Sequence, residues 1–592
     1  MYRTSKFTVL VLFIAFASAN ALNGQSGSGV VKGTVSDASS AVVQGARARL
    51  TNRDTNIARE AVSQAGGLFN FADVTPGPYT LEVEQSGFEK WSGTFTVQVG
   101  QTAVIDPTLA VGSLADTVVV NDAAPAITTE GMQVADVKDA LRIHQLPLNG
   151  RLVSSLFTLT PGVENNGGGL RVNGLKVGAA EITQDGISLV DRFTGGIQRV
   201  QPGLDTVQEF RIETSSSSAR YPRFATLTLI TKSGTNDLHG TLFETFRNNA
   251  DGLRARQRQD SNTSAKLIRN EFGVSAGGPI WIPKLYNGRD KTFWFVSYEG
   301  LRQRQSVFNE DYVATPAMFN GDFSNVFDNN GVQTHIYDPL TTNAQGIRTQ
   351  FPGDIIPSSR ISPIWKTLRS ITHAPSSNAD PFQGPNLDNF YPLKTDTNTF
   401  TTKGDHRFST NDSLSARFTR SHYNFSQIGG LFGSPLDGLA NAYGTGLNDA
   451  LVYTGTLSET HVFTPTLLNE FLFAVNRNPN HQGTLADFTN WPQKLGLPNP
   501  FGSNGWPTIC AGSFNSCWDA NNVKDQHLTA GNVEDNVTWV KGKHSFAFGG
   551  RVRQEFNYVR ELQQSQGSHD FGESWTALYD PAGDQAVPFT GV

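Results

Sequence analysis

Apolar and polar residues alternate along much of this chain, and the alternating runs change in length once, between Val207 and Arg247. Before that stretch they are short. Val31, Gly33 and Val35, and later Tyr79, Leu81 and Val83, repeat every second residue between turn signals at Ala65-Gly66-Gly67 and Thr75-Pro76-Gly77-Pro78. This spacing predicts a small β-sandwich of about seven strands over residues 27–110. A small mixed α/β unit follows over 131–234. Its sequence predicts a helical turn from Asp136 to Ile143, stopped before Pro147. Two short strands are predicted around Asn173-Gly174 and Asp185-Gly186, pairs that supply the positive φ angles tight turns need.

Beyond Leu238 the runs lengthen. Leu414, Ala416 and Phe418 alternate with Ser413, Ser415, Arg417 and Thr419, and Leu451, Tyr453, Gly455 and Leu457 with Val452, Thr454, Thr456 and Ser458. His544, Phe546, Phe548, Gly550 and Val552 alternate with Ser545, Ala547, Gly549, Arg551 and Arg553. Strands placed between lipid and a wet lumen read this way. A soluble sheet with one wet face gives the same alternation. The connections separate the two readings: they are tight at Val540–Lys543 and Phe463–Thr466 but long from Arg302 to Asp396, and outer-membrane barrels set short turns opposite long loops. Trp294 and Trp539 suit an interfacial aromatic girdle.

The amino terminus adds a compartment. Arg3 and Lys6 precede an apolar run from Phe7 to Ala17, with small residues at Ala17, Ala19 and Ala21, so residues 1–21 read as a secretory signal peptide. Composition agrees with β-structure rich in turns: 58 Gly, 39 Phe and only 17% charged residues. A net charge of -6 over 592 residues leaves no basic stripe for nucleic acid.

Catalytic and metal chemistry find little footing. The chain has no His-x-x-Glu zinc spacing, and Gly167-Gly168-Gly169 lacks the Lys-Ser/Thr of a phosphate loop. The eleven histidines are scattered. No catalytic, cofactor-binding or metal-ligating residue is assigned, and the chain does not read as an enzyme. The two cysteines, Cys510 and Cys517, could close one small loop in an oxidising compartment.

Several stretches carry resemblances. GTVSDASSAVVQGARARLTN and AGGLFNFADVTPGPYTLEVEQSGFEKW resemble the carboxypeptidase regulatory-like domain, a transthyretin-type sandwich grouped with carbohydrate-binding-like folds. Its rings Phe69, Phe71, Tyr79, Phe88 and Trp91 fit either core packing or a sugar-stacking face. Within the linker 111–130, Asp116-Thr117-Val118-Val119-Val120 resembles a TonB box, an extended segment that a partner's sheet captures as an added strand. The same residues also fit a last strand of the sandwich.

Leu146-Pro147-Leu148-Asn149-Gly150-Arg151, Asn173-Gly174 and Asp185-Gly186, with Val207-Gln208-Glu209-Phe210 after them, together resemble the plug of an Oar-like TonB-dependent receptor. LHGTLFETFRNN, RNEFGVSAGGPI, DKTFWFVSYEGLR and WVKGKHSFAFGG resemble landmarks of that family's barrel. One departure is Tyr221-Pro222-Arg223-Phe224, where the family has a Gly-rich approach to the last plug strand.

The resemblance implies a mainly β protein: a transthyretin-like β-sandwich, a small α/β plug and a partial antiparallel outer-membrane β-barrel over 237–592. It implies energised uptake through the outer membrane of an unidentified substrate, with carbohydrate and peptide among the candidates. The implied partners are a periplasmic TonB-type energy-transducing protein, outer-membrane lipid and an extracellular ligand of the glycan class or another. The alternative is a surface binding or adhesion protein whose sandwich holds glycans while the barrel anchors it. About nine alternating segments follow Leu238, whereas plugged transporters need about 22 strands. The barrel is therefore expected to be the first part of a longer one.

Overall fold

A computed structural model describes residues 28–586 apart from 113–116, 122–133, 147–149, 166–169, 191–200, 216–218, 250–265, 329, 428–445, 465, 513–515, 519–522, 542–543, 563–564 and 581–584. The signal-peptide residues 1–21, Asp116, and Pro147, Leu148 and Asn149 of the plug motif lie outside the described residues. The chain is mainly β, with a small helical and β plug-like region and one large antiparallel sheet.

The amino-terminal unit is two sheets over one core. In the first, β1 (Gly29–Thr34) lies between Leu68–Val74 and Thr102–Val104; the second holds β2 (Arg47–Asn52), β3 (Ala58–Val62), β4 (Gly77–Glu84), β5 (Lys90–Val97) and β6 (Thr117–Asn121). Alternate residues point inward, so Val31, Leu50, Leu81, Val83 and Leu109 are buried in one cluster. The rings follow this period. Phe69, Phe71, Tyr79 and Trp91 are buried and Phe88 packs against them, so these side chains form core rather than an exposed stacking face. The edge strand β6 runs parallel to β5, with Thr117 opposite Lys90 and Asn121 opposite Thr94.

The plug-like region is a five-stranded mixed sheet built from β7 (Val134–Asp139), β8 (Ala180–Gln184), β9 (Ile187–Ser188), β10 (Val207–Ser215) and β11 (Ala225–Thr231). The central strand β11 is buried along its whole length, as a strand covered on both faces must be. The sequence places a helical turn at Asp136–Ile143, but residues up to Asp139 pair with β10 and the helix runs from Ala140 to Gln145. Asp139 sets the boundary. Its carboxylate accepts the Arg142 N–H at 2.8 Å, which satisfies a first-turn donor that would otherwise be orphaned.

The large sheet has nine strands, each paired antiparallel with the next in sequence: β12 (His239–Asn248), β13 (Leu267–Pro279), β14 (Thr292–Asp311), β15 (Leu387–Arg407), β16 (Asp412–Gln427), β17 (Leu447–Thr464), β18 (Leu467–Gly483), β19 (Val523–Lys541) and β20 (His544–Leu562). Along β17 the buried residues are the alternate set Asn448, Ala450, Val452, Thr454, Thr456, Ser458 and Thr460, and the outward set includes Leu451, Tyr453 and Leu457. The polar set faces the plug. Outward-facing Phe418, Phe546, Phe548 and Val552 are exposed, a surface suited to hydrocarbon.

Strands β14 and β15 reach 20 and 21 residues and stay paired from Thr292–His406 to Asp311–Leu387. Crossing a bilayer takes about 9–11 residues, so their far halves stand clear of it. That is why the sequence from Arg302 to Asp396 reads as loop: with water on both faces, Arg302, Gln303, Arg304 and Gln305 carry no apolar period. At this end the long connections 312–386 and 484–522 fold together over a core that includes Val313, Met318, Phe319, Leu368, Trp506 and Trp518. Cys510 and Cys517 are disulfide-bonded within it.

Candidate functional site: the seam between plug and wall

Plug and wall meet through charged and hydroxyl side chains, and each contact follows from a turn or a strand phase. Asp185 and Gly186 both have positive φ, 45° and 82°, which folds the β8–β9 connection tightly enough to hold Asp185 at the plug surface. There its carboxylate accepts from the Thr231 N–H at 3.0 Å and from the Thr231 hydroxyl at 2.6 Å. It also pairs with Arg417 Nε at 2.6 Å. Arg417 points inward from β16 and is 1% exposed. It donates further to Gln184 O and to the hydroxyls of Thr419 and Thr454. The cost of burying a guanidinium in such a place is offset by the Asp185 charge and by these acceptors.

Arg151 makes a second contact. Its Nη2 lies 2.9 Å from Asp205 Oδ2 and its guanidinium sits over the Phe243 ring of β12 at 4.0 Å. Gly150, at φ 92°, lets the chain pass close to the wall: a Cβ there would fall 2.4 Å from Arg269 Nη2. Glu299 of β14 accepts the Asp205 N–H at 3.0 Å, and the hydroxyls of Thr206 and Ser297 are hydrogen-bonded at 2.9 Å. Lys403 donates to Thr231 O at 3.1 Å, and Ser233 donates to Asp405.

The third contact is made by the segment that departs from the family pattern. Arg220 reaches Glu534 at 2.6 Å and Glu470 at 3.2 Å, while Arg551 holds the other oxygen of Glu534 at 2.5 Å. Burial alone would lower the Arg220 pKa, but the charges of Glu470 and Glu534 hold it above its ordinary value. Arg223 pairs with Glu181 at 3.0 Å, with Arg553 of β20 on the opposite side at 3.8 Å. The Tyr221-Pro222-Arg223-Phe224 segment is thus flanked and anchored by ions.

The sandwich touches the same assembly. The Val99 N–H donates to Glu209 Oε2 at 2.9 Å and Arg211 Nη1 donates to Val99 O at 3.2 Å, so its turn at 98–101 sits on plug strand β10. Burial pushes the Glu209 carboxyl up to about 8; the Asp139 charge adds to the effect, while the Val99 hydrogen bond and Arg211 oppose it. Two more links tie the sandwich to the short-turn end of the wall: Asn236 N–H to Asp54 O at 2.9 Å and Arg407 Nη2 to Ala58 O at 3.0 Å.

Of the residues singled out from sequence, Arg151 and Asp185 lie in the seam, whereas Asn173-Gly174 makes a turn whose Asn173 donates to Thr214 O within the plug. Thr117–Val120 lie in β6, away from the seam. Arg223 stood out only within the stretch that departs from the family pattern, and Arg220, Glu181, Glu470 and Glu534 were not singled out. The signal for the wall residues is strand phase: a charge on the polar side of an alternating run faces the plug. Among the described residues no group of three or more His, Cys, Asp or Glu side chains could hold a metal ion.

Two families match the chain. The Outer membrane beta barrel domain matches residues 230–589 and the Carboxypeptidase regulatory-like domain residues 30–110. The TonB-dependent transporter Oar of Myxococcus xanthus is 27% identical over 303 residues, which is 48% of this chain and 28% of that protein. Among solved structures, the outer membrane transporter YddB from Escherichia coli is similar at TM-score 0.39 and 11% identity, over 72% of this chain and 48% of that one. The ferric enterobactin receptor of Pseudomonas aeruginosa is similar at TM-score 0.35 and 10% identity, over 73% and 56%. The chain thus spans a little over a quarter of the curated relative and about half of these solved structures.

Proposed function

Because the chain belongs to the outer-membrane β-barrel family, with a carboxypeptidase regulatory-like domain ahead of the barrel, we propose that it serves TonB-dependent transport across the outer membrane. The observation that carries this reading is the seam. A plug joined to its wall by ion pairs and hydroxyls exchanges protein contacts for water when it moves, whereas an apolar joint would expose surface at about 25 cal/mol per Å². The outer membrane holds no ATP, so the displacing force comes from a periplasmic TonB-type protein.

In this reading the short-turn end faces the periplasm, the long connections face outward, and Asp116–Val120 is the grip. Thr117–Val120 are paired along the sandwich edge, so that segment leaves β5 before a partner's sheet takes it up by the same backbone groups. The sandwich is taken as transthyretin-like. Strands β12 and β20 are the edges of the nine-strand sheet and are not paired with each other. Unpaired backbone is not viable in hydrocarbon, so the reading includes further strands that complete the wall.

A photoactivatable crosslinker at Val118, in the full gene product in its own cells, tests the proposal. It should capture the TonB-type protein, and deletion of Asp116–Val120 should abolish uptake while cell-surface ligand binding persists. Capture of no periplasmic partner together with undiminished uptake would reject it. The glycan-adhesion alternative has no exposed ring face in the sandwich to support it.

A further inference from the structure

The outward face of strands β16 to β20 changes chemistry in steps along the strands. At the short-turn end Trp539 lies against Phe546 at 5.6 Å and is partly exposed, as an interfacial ring is. Farther along, register sets Ala416, Leu457, Phe473, Val533 and Val552 side by side in an unbroken apolar row. Phe418, Gly455, Val475 and Gly531 form the next outward row. Then cations enter: Arg420, Tyr453 and Arg477 are direct cross-strand neighbours on β16, β17 and β18. Their chain neighbours Ser421, Val452 and Asn476 are buried on the plug side, so these three side chains point away from the plug.

Their level follows from strand length. About 9–11 residues carry a strand across a bilayer. That span separates the paired residues Leu467 and Trp539 from the paired residues Arg477 and Thr529 on β18 and β19. The arginine row therefore stands at the far edge of the hydrocarbon, on the side of the long connections. Other charges at this level are matched within the chain. On β14, the same span beyond Trp294, Arg304 meets Asp396 at 2.6 Å, and Arg302 beside it meets Asn398 Oδ1 at 2.6 Å. Beyond the arginine row, His422 is bonded to Asp449 at 2.5 Å and His481 to Asp525 at 2.6 Å. Arg420 and Arg477 differ: both are exposed, and among the described residues neither enters a hydrogen bond or an ion pair.

We propose that Arg420 and Arg477, with Tyr453 between them, hold the anionic phosphate of a lipid headgroup at the bilayer edge nearer the long connections. Their strands are two apart, which sets the backbones about 10 Å from each other, so two extended arginine side chains can close on one anion. A guanidinium fork fits phosphate oxygens in pairs, and the charges act more strongly beside hydrocarbon than in water. The Tyr453 ring, packed near Phe418 at 6.4 Å, places a hydroxyl at the same level. The apolar rows beneath receive the acyl chains, which makes the occupant a lipid and not a soluble anion. This inference goes beyond the transport reading and needs no energy-transducing partner.

The test uses the full gene product in detergent, read by native mass spectrometry, with dioleoylphosphatidic acid, dioleoylphosphatidylcholine and inorganic phosphate as probes. The parent should retain phosphatidic acid at a concentration roughly tenfold below that needed for phosphatidylcholine, whose choline masks the phosphate charge. The double variant Arg420→Gln with Arg477→Gln should lose that preference. Arg420→Lys with Arg477→Lys, which keeps the charge without the fork, should fall between the two and guards against a folding effect of the first. Arg304→Gln, at a matched site, should leave the preference unchanged. Equal retention of the two lipids by the parent, a preference that survives in the glutamine double variant, or an equal loss in Arg304→Gln overturns the proposal. Displacement of phosphatidic acid by millimolar inorganic phosphate assigns the site to the free anion, and a parent dimer that the double variant dissociates assigns the face to a second copy; either result overturns it too. Crosslinking at Val118 is independent of all these outcomes.

Discussion

The contact between Glu209 and the sandwich should weaken as pH rises, and its sign and size follow from the structure. Glu209 is 4% exposed, accepts the Val99 N–H, and has a second oxygen with no hydrogen-bond partner among the described residues. Burial raises its pKa from 4.5 to about 8. The folded, docked state therefore keeps its proton over a range in which an undocked Glu209 has lost it. Stability from this group is full below about 4.5 and is lost progressively as pH rises to about 8. At ~1.4 kcal/mol per pH unit, the whole interval is worth at most about 5 kcal/mol, and water entering the joint reduces it. Glu209→Gln removes the titration but keeps a carbonyl for the Val99 N–H. Hydrogen exchange over residues 97–101, taken as the ratio of variant to parent at each pH, should diverge between pH 5 and 9, with the parent losing protection. A constant ratio, or a parent that gains protection with pH, would refute the account.

Two other substitutions probe the seam and the cap. Arg417→Met leaves Asp185 beside an apolar side chain, and breaking one partner of a buried pair costs about 3–5 kcal/mol. Limited proteolysis should release plug fragments from the variant while the wall stays resistant, and equal resistance would remove Arg417 from the seam. Cys510→Ser opens a loop whose ends are 7 residues apart, worth about 2–3 kcal/mol by loop entropy. The cap should then unfold at lower urea than the parent, and reducing agent should shift the parent to the variant's midpoint but leave the variant unmoved.

What was legible in the sequence is what repeats. The long strands show in the alternation of Leu451, Tyr453 and Leu457 against Thr454, Thr456 and Ser458 because each side meets a different solvent. The plug turns show because only a few residue types accept positive φ, as Asn173 and Asp185 do. The far halves of β14 and β15 were hidden, since water lies on both faces and erases the period. The seam was half hidden for another reason. Arg151 and Asp185 were found through a motif, but Arg220 stands 250 residues from Glu470 and 314 from Glu534, and no local pattern links them. The parallel pairing of Thr508–Ala511 with Ser568–Phe571 could not be read at all, since it sets Ile509 beside His569 from two remote short strands.

The distribution of polarity decides which joint of this molecule yields under load. Inside the plug, Phe157, Phe210, Ile212 and Leu227 form one apolar cluster, so pulling its strands apart exposes hydrocarbon. The cap is held by its own apolar cluster and a disulfide. Between plug and wall stand Thr206 and Ser297, Lys403 and the Thr231 carbonyl, and Arg417 and Asp185, each able to trade its partner for water. Hydroxyl pairs give way at small net cost, while each buried ion pair resists until both charges are hydrated. Displacement should then proceed from the hydroxyl side, along Thr206 and Ser297, toward the ionic anchors at Arg220 and Arg417. Those anchors set the threshold, and the sandwich turn at Val99 rests on β10 of the plug beside them.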